Sequence, residues 1–131
     1  MSVPDPVTYL SVEDLVEIAG MVIGAPPAVR DYGLLCSTSA RPGTVAFGQE
    51  VYPDLFDKAA TLLHSVCVNL ALIDGNRRTA WAAARVLLTL NGVAMLDIDV
   101  DTAEVFVSAV ASGSLRDVPD IARELRSRYK L

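Results

Sequence analysis

Apolar residues recur at three- and four-residue steps through most of the chain, the period of a helix that buries one face. The clearest run is Leu55, Ala59, Leu62, Val66, Leu70 and Ile73, which predicts an amphipathic helix over 54–71 with Asp54 as its cap. After a polar interruption the pattern resumes at Asn76 and passes through Trp81, Ala84, Val86, Leu87 and Leu90, until the Asn-Gly pair at 91–92 ends it. Upstream, Ser11 with Asp14 has the spacing of a capping box ahead of Leu15, Ile18 and Val22, and Gly24 closes that helix. A shorter helix is predicted near 31–40. Two more follow towards the C-terminus, one opened by Asp101 with Glu104 and ended by Gly113, the other opened by Asp117 with Pro119 and running almost to Leu131. Only between 42 and 53 does the pattern change: Gly43 and Gly48 flank a brief β-prone run edged by prolines, which predicts a short flap or hairpin.

The expectation is therefore an all-α, compact bundle of about six helices, forming one domain over 1–131. Composition agrees. Hydrophobic residues make up 52% of the chain and aromatic residues only 6%, so the core has to be built from Ala, Val, Leu and Ile, which suits closely packed helices. A net charge of −5 argues against a nucleic-acid surface, which requires clustered and uncompensated cations. His64, Asn69, Arg85 and Asn91 interrupt the longest apolar stretches, so no membrane span is expected. Two cysteines, Cys36 and Cys67, and an N-terminal stretch without basic or apolar leader character point to a cytoplasmic protein with reduced, buried thiols.

The polar interruption between the two longest helices, "LIDGNRRTAW", carries the candidate chemistry. The first turn of a helix leaves N–H groups unbonded, and with the helix dipole they attract an anion. Gly75 permits close backbone approach, Asn76 offers an amide, and Arg77 and Arg78 provide guanidinium groups whose geometry suits phosphate. Asp74 would repel such a guest unless it held a cation, and Mg²⁺ bridging a carboxylate to phosphate oxygens meets that need. The plainer reading is turn and cap chemistry beside a solvated arginine pair.

"NLALIDGNRRTAW" resembles the signature of the Fic/Doc (Fido) superfamily, H-x-F-x-D/E-G/A-N-x-R, and is nearest its Doc branch. The likeness extends through "YLSVEDLVEI", "RDYGLL", "ARPGTVAFGQEVYPDLFDKAATLLHS", "TLNG" and the closing "DVPDIARELR". The resemblance implies that Asp74 holds Mg²⁺ on the phosphates of ATP, that Gly75 and Asn76 form the anion-binding turn, and that Arg78 neutralises phosphate charge. Arg77 stands where AMP-transferring Fic enzymes have glycine and Doc toxins lysine. A long cation there implies a reversed nucleotide and transfer of the γ-phosphoryl group, as in Doc toxins, which phosphorylate a threonine of elongation factor Tu and arrest translation. The implied partners are that factor and an antitoxin of the Phd type, whose disordered segment folds as a helix into a groove on the toxin. The strand from Thr44 through Val45 and Ala46 to Phe47 is implied to pair with an extended substrate segment. Arg41, just before it, is a further candidate to face the phosphates.

The sequence departs from the pattern at two positions. Leu72 replaces the motif phenylalanine, a tolerable apolar exchange. Leu70 stands at the position of the catalytic histidine and has no proton-accepting atom; loss of a general base typically costs on the order of 10²–10⁴-fold in rate. His64 precedes Leu70 by about 600° of helical rotation and roughly 9 Å of rise, too far round the helix to replace it. An almost or wholly inactive chain is expected, with Leu70 either an inactivating change or native to a degenerate family member. The alternatives to a Doc-type kinase are a Fic-type AMP-transferase, which Arg77 disfavours, and a non-catalytic module that binds nucleotide or antitoxin.

Two further patterns have plain explanations. Asp97, Asp99 and Asp101 alternate as in a calcium loop, but Thr102 and Ser108 stand where glycine and glutamate are needed, so a turn before a helix cap is expected. Arg123, Arg126, Arg128 and Lys130 are interleaved with Asp120 and Glu124, as on a solvated helix face.

Overall fold

The computed structural model describes residues 6–94 and 97–129. Among them are the helices α1 (Val12–Ile23), α2 (Tyr32–Ala40), α3 (Leu55–Asn69), α4 (Asn76–Leu90), α5 (Val100–Ser112) and α6 (Val118–Tyr129). Between α2 and α3 lie a single 3-10 turn, Arg41–Gly43, and a hairpin of two short strands, β1 (Val45–Ala46) and β2 (Gln49–Glu50).

The axis of the bundle is α3, which packs against α2, α4, α5 and α6. Ala59 and Ala60 on α3 and Ala80, Ala83 and Ala84 on α4 are completely buried. Small side chains along both helices let the backbones come close, and Leu62, Leu63, Leu87 and Leu88 fill the space on either side. The expectation from composition is met: alanine and branched aliphatic residues supply most of the core, with Phe56, Phe106 and Tyr129 its aromatic members.

Local signals set the helix ends. Ser11 and Asp14 form a reciprocal capping box on α1, and Gly24 at φ 80° closes it. Asp31 caps α2, and the Asp54 carboxylate accepts from the Phe56 and Asp57 amides at the start of α3. That carboxylate also pairs with Arg126 of α6 at 2.7 Å, and the Arg126 guanidinium lies 4.3 Å from the centre of the Phe56 ring. The arginine-rich tail is therefore only partly a solvated face. Arg123 pairs with Asp120 and Arg128 with Glu124, whereas Arg126 ties α6 to α3; Lys130 lies outside the described residues.

Several expectations require correction. Helix α3 stops at Asn69, two residues before the predicted end, because Leu70 adopts the left-handed conformation and Ala71–Ile73 are drawn into pairing with residues 28–31. Leu70 and Ile73 are consequently exposed and do not continue the buried stripe. Leu90 is likewise exposed, although it follows the apolar period of α4. Helix α5 is capped by Asp99, whose side chain accepts from the Asp101 amide, two residues earlier than the predicted opening at Asp101. Cys36 is exposed; only Cys67 is buried, and burial pushes its thiol up to about 12, against the opposing pull of Arg77.

The flap is present, but its strands are shorter than expected. Val45 pairs with Glu50 and Ala46 with Gln49, and Phe47 (φ 52°) and Gly48 (φ 76°) make the two-residue turn, so Phe47 belongs to the tip and projects fully into solvent. The base of the flap is fixed by Lys58 on α3. Its ammonium is buried, bonded to the Glu50 carboxylate at 2.8 Å and the Pro42 carbonyl at 3.2 Å, and faces the Tyr9 ring at 5.3 Å. Burial works against the charge on Lys58, but the bonds to Glu50 and Tyr9 outweigh it and raise its pKa above the ordinary 10.5. A raised lysine contributes its stability fully below the unfolded value and loses it as pH climbs through the folded one. Glu50→Ala is therefore expected to lower stability to urea at neutral pH by about 1–3 kcal/mol. The parent chain should lose this contribution as pH climbs above the ordinary lysine value, and the variant, without the Glu50 bond, should show a smaller loss over the same range.

Candidate functional site

The connection between α3 and α4 is held from three sides. Residues 28–31 run antiparallel to 71–73: the Arg30 and Asp31 amides donate to the Ala71 carbonyl, and the Ile73 amide donates to the Ala28 carbonyl at 2.9 Å. Arg30 also donates from Nε, at 3.0 Å, and from Nη2 to the carbonyl of Leu70. Finally, the Asn76 side chain bonds both backbone groups of Leu72, accepting from its amide at 3.1 Å and donating to its carbonyl at 2.9 Å.

These bonds give Asn76 and Gly75 reasons beyond those read from the sequence. The Asn76 amide group is committed to Leu72, so only the backbone N–H of this residue is left for a ligand. Gly75 sits at φ 79°, and a Cβ there would lie 2.7 Å from Ile23 Cγ1. The close approach it allows is that of the end of α1.

Gly75 makes no side-chain cap, and the first α4 hydrogen bond runs from the Thr79 amide to the Gly75 carbonyl. Among the described residues, the amides of Asn76, Arg77 and Arg78 have no acceptor. These residues, with Asp74 and Gly75, line a recess of about 580 Å³. No hydrogen bond or ion pair among the described residues engages Asp74 or Arg77, while Arg78 makes one long contact of 3.5 Å to the Val22 carbonyl. Unbonded N–H groups, the positive end of the α4 dipole and two guanidinium groups beside one carboxylate are what a phosphate with a bridging divalent cation needs.

Leu70 lies on the rim of this recess at φ 52°, ψ 43°. Leucine rarely occupies that region, since the position after a helix is ordinarily glycine or asparagine. His64 stands elsewhere. Its Nδ1 is 2.9 Å from Arg41 Nη1, which also bonds the Ser65 hydroxyl; arginine only donates, so Nδ1 accepts and the proton of the neutral ring is on Nε2. Burial and the Arg41 charge both lower the His64 pKa. Arg41, which also faces the Tyr52 ring, is thus turned to α3 and does not line the recess.

Leu70, Asp74, Gly75, Asn76, Arg77 and Arg78 are brought together around one opening. Thr44, Val45, Ala46 and Phe47 are exposed on the flap and do not line it. The sequence reading missed Arg30, and it missed the opposite wall: Val100, Ala103, Glu104, Val107 and Ser108 of α5, with Trp81 of α4 between. Their spacing of three and four residues was an available signal that these side chains share a face.

A small helical bundle with a recess at the joint of its two central helices is the class of fold the structure defines. A family model described as the Fic/DOC family matches residues 9–88, and the chain belongs to that family. It is 48% identical over 118 residues to Toxin Doc of Mycolicibacterium smegmatis, an alignment covering 89% of this chain and 90% of that protein. No helix among the described residues is long and apolar enough to cross a membrane.

The crowding at Gly75 gives a direct check on the joint. Gly75→Ala has to push Ile23 aside and hold alanine at positive φ, so a loss of about 1–3 kcal/mol is expected in a denaturation experiment.

Proposed function

We propose that this chain is the toxin of a toxin–antitoxin module, a Doc-type protein kinase in architecture whose chemistry is disabled by Leu70. The reading is carried by one observation: Asp74, the free amides of the first α4 turn, Arg77 and Arg78 share a single open recess. In the transfer, a substrate hydroxyl oxygen bonds to the γ-phosphorus of ATP as the bridging oxygen leaves with ADP, and the hydroxyl proton needs an acceptor. The α4 amides and Arg78 would hold and neutralise the phosphates. Arg77 would fill the space that an AMP-transferase needs for the distal phosphates. Asp74, exposed on the recess and engaged by no protein group among the described residues, fits Mg²⁺. That ion would supply charge neutralisation and orientation of the phosphates.

No proton acceptor stands at position 70. The backbone there supports histidine as the residue for which the site is built: histidine is enriched among non-glycine residues at positive φ, and leucine at φ 52° is not favoured. The Arg30 clamp on the Leu70 carbonyl would fix either side chain at the rim.

The proposed substrate is a threonine of elongation factor Tu, presented as an extended segment to the flap strand Val45–Ala46, and the setting is the cytoplasm. The proposed partner is a Phd-type antitoxin that docks a helix in a groove of the bundle. Leu70→His, incubated with elongation factor Tu and ATP labelled at the α or γ position, should transfer γ-label at least on the order of 10²-fold faster than the parent chain. Transfer of α-label would instead make the protein an AMP-transferase. ATP binding without any transfer would make it a binding module.

A further inference from the structure

Arg41 does not line the recess, and the groups it meets give it a different task. It opens the 3-10 turn that leads into the flap, and its side chain lies against α3, where Nη1 donates to His64 Nδ1 and to the Ser65 hydroxyl, each at 2.9 Å. The Tyr52 ring, at the other root of the hairpin, has its centre 5.8 Å from the same guanidinium. One half-buried cation thus joins the entry of the flap, its exit and α3. A second anchor, Lys58, grips the Pro42 carbonyl and the Glu50 carboxylate.

A two-stranded hairpin standing alone in water is marginally stable at best, so the bonds within the flap depend on these anchors. At the roots, the Thr44 amide donates to the Arg41 carbonyl at 3.1 Å and the Val51 amide to the Thr44 carbonyl at 2.9 Å. The two anchors differ in what they require. Lys58 is met by a carboxylate, whereas Arg41 is met by an imidazole that accepts at Nδ1 only while that nitrogen is unprotonated. A protonated ring turns an N–H and a positive charge towards the guanidinium, and a partly buried site screens two like charges poorly.

Burial and the Arg41 charge hold the His64 pKa below the ordinary 6.5, so the ring is neutral in the folded protein near neutral pH and takes up its proton only below that value. Among the described residues, Arg41 is the charged group whose field acts on His64. The titratable side chains of α2 are Tyr32 and Cys36, those of α3 besides His64 are Asp57, Lys58 and Cys67, and those of the hairpin and its roots are Arg41, Glu50 and Tyr52.

We propose that Arg41 is a positioning residue for the flap and that His64 makes its hold acid-sensitive: the neutral ring keeps Arg41 and both hairpin roots against α3, and protonation releases them. Lys58 still tethers the flap at Pro42 and Glu50, so the hairpin loosens without detaching. A loosened strand no longer presents a fixed row of amides and carbonyls, and an extended segment paired along Val45–Ala46 is then held less tightly. This hold on the flap is independent of the phosphate seat and of whichever segment the flap takes.

Amide hydrogen exchange of the parent chain at about pH 7.5 and about pH 5, expressed as protection factors so that the intrinsic pH dependence of exchange is removed, tests the proposal. Protection of the Thr44 and Val51 amides should fall on the order of 5–10-fold at the lower pH, while that of Leu87 and Leu88 in the buried part of α4 is unchanged. His64→Asn, whose Oδ1 accepts where Nδ1 does and takes up no proton in this range, should keep the flap protected at both pH values. Arg41→Ala should leave it loosened at both. Flap protection that is the same at the two pH values in the parent chain, or that survives Arg41→Ala at neutral pH, overturns the proposal. An equal fall in His64→Asn also overturns it and assigns the titration to another group, such as the Glu50 carboxylate. A fall that extends to Leu87 and Leu88 is a loss of the whole fold and overturns it as well.

Discussion

The two hydrogen bonds between the Asn76 side chain and the Leu72 backbone, one accepted and one donated by Asn76, tie the first turn of α4 to the incoming loop. A side chain that satisfied the α4 amides would have made an ordinary cap. Asn76 instead turns back to brace the incoming loop, and Gly75, with no side chain, contributes none. The result is a braced helix start whose first N–H groups take no side-chain cap. The pairing of residues 28–31 with 71–73 and the Arg30 contact to Leu70 reinforce the same loop, so two separate stretches of chain, residues 28–31 and the start of α4, converge on holding it.

This arrangement separates two tasks. The proposed phosphate seat would be built from backbone amides, helix polarity and guanidinium groups, none of which belongs to the side chain at position 70. The proton acceptor depends on that side chain alone. In the proposed function, a leucine at this one position leaves recognition intact and removes the chemistry. Such a division is expected wherever catalysis is mainly positioning and electrostatics with a single proton transfer added.

Much of this was legible in the sequence because helix periodicity and capping are local. Ser11 with Asp14, Asp54, and Gly24 and Gly113 marked their helix ends correctly, and the Asp-Gly-Asn-Arg-Arg joint fell at the opening of the recess. What was hidden depended on contacts between distant segments. That α3 would stop at Asn69 follows from the strand-like pairing with residues 28–31, which no periodicity reveals. The reason for Gly75 is Ile23, on another helix. Lys58 reads as the polar face of an amphipathic helix, and only the folded flap supplies the Glu50, Pro42 and Tyr9 groups that let its ammonium be buried. The α5 wall was visible as a helix but not as a wall, because which face of a helix meets a cavity is set by packing.

In the proposed function the first turn of α4, with Asp74, Arg77 and Arg78, seats the phosphates of a Mg²⁺-bound nucleotide. Hydrogen–deuterium exchange with and without Mg²⁺ and ATP reads those amides directly. Exchange at residues 74–78 should slow on addition of nucleotide, and this slowing should be abolished in Arg77→Ala/Arg78→Ala, while the centre of α3 is unchanged. Unaltered exchange across 74–78 at saturating nucleotide would contradict it.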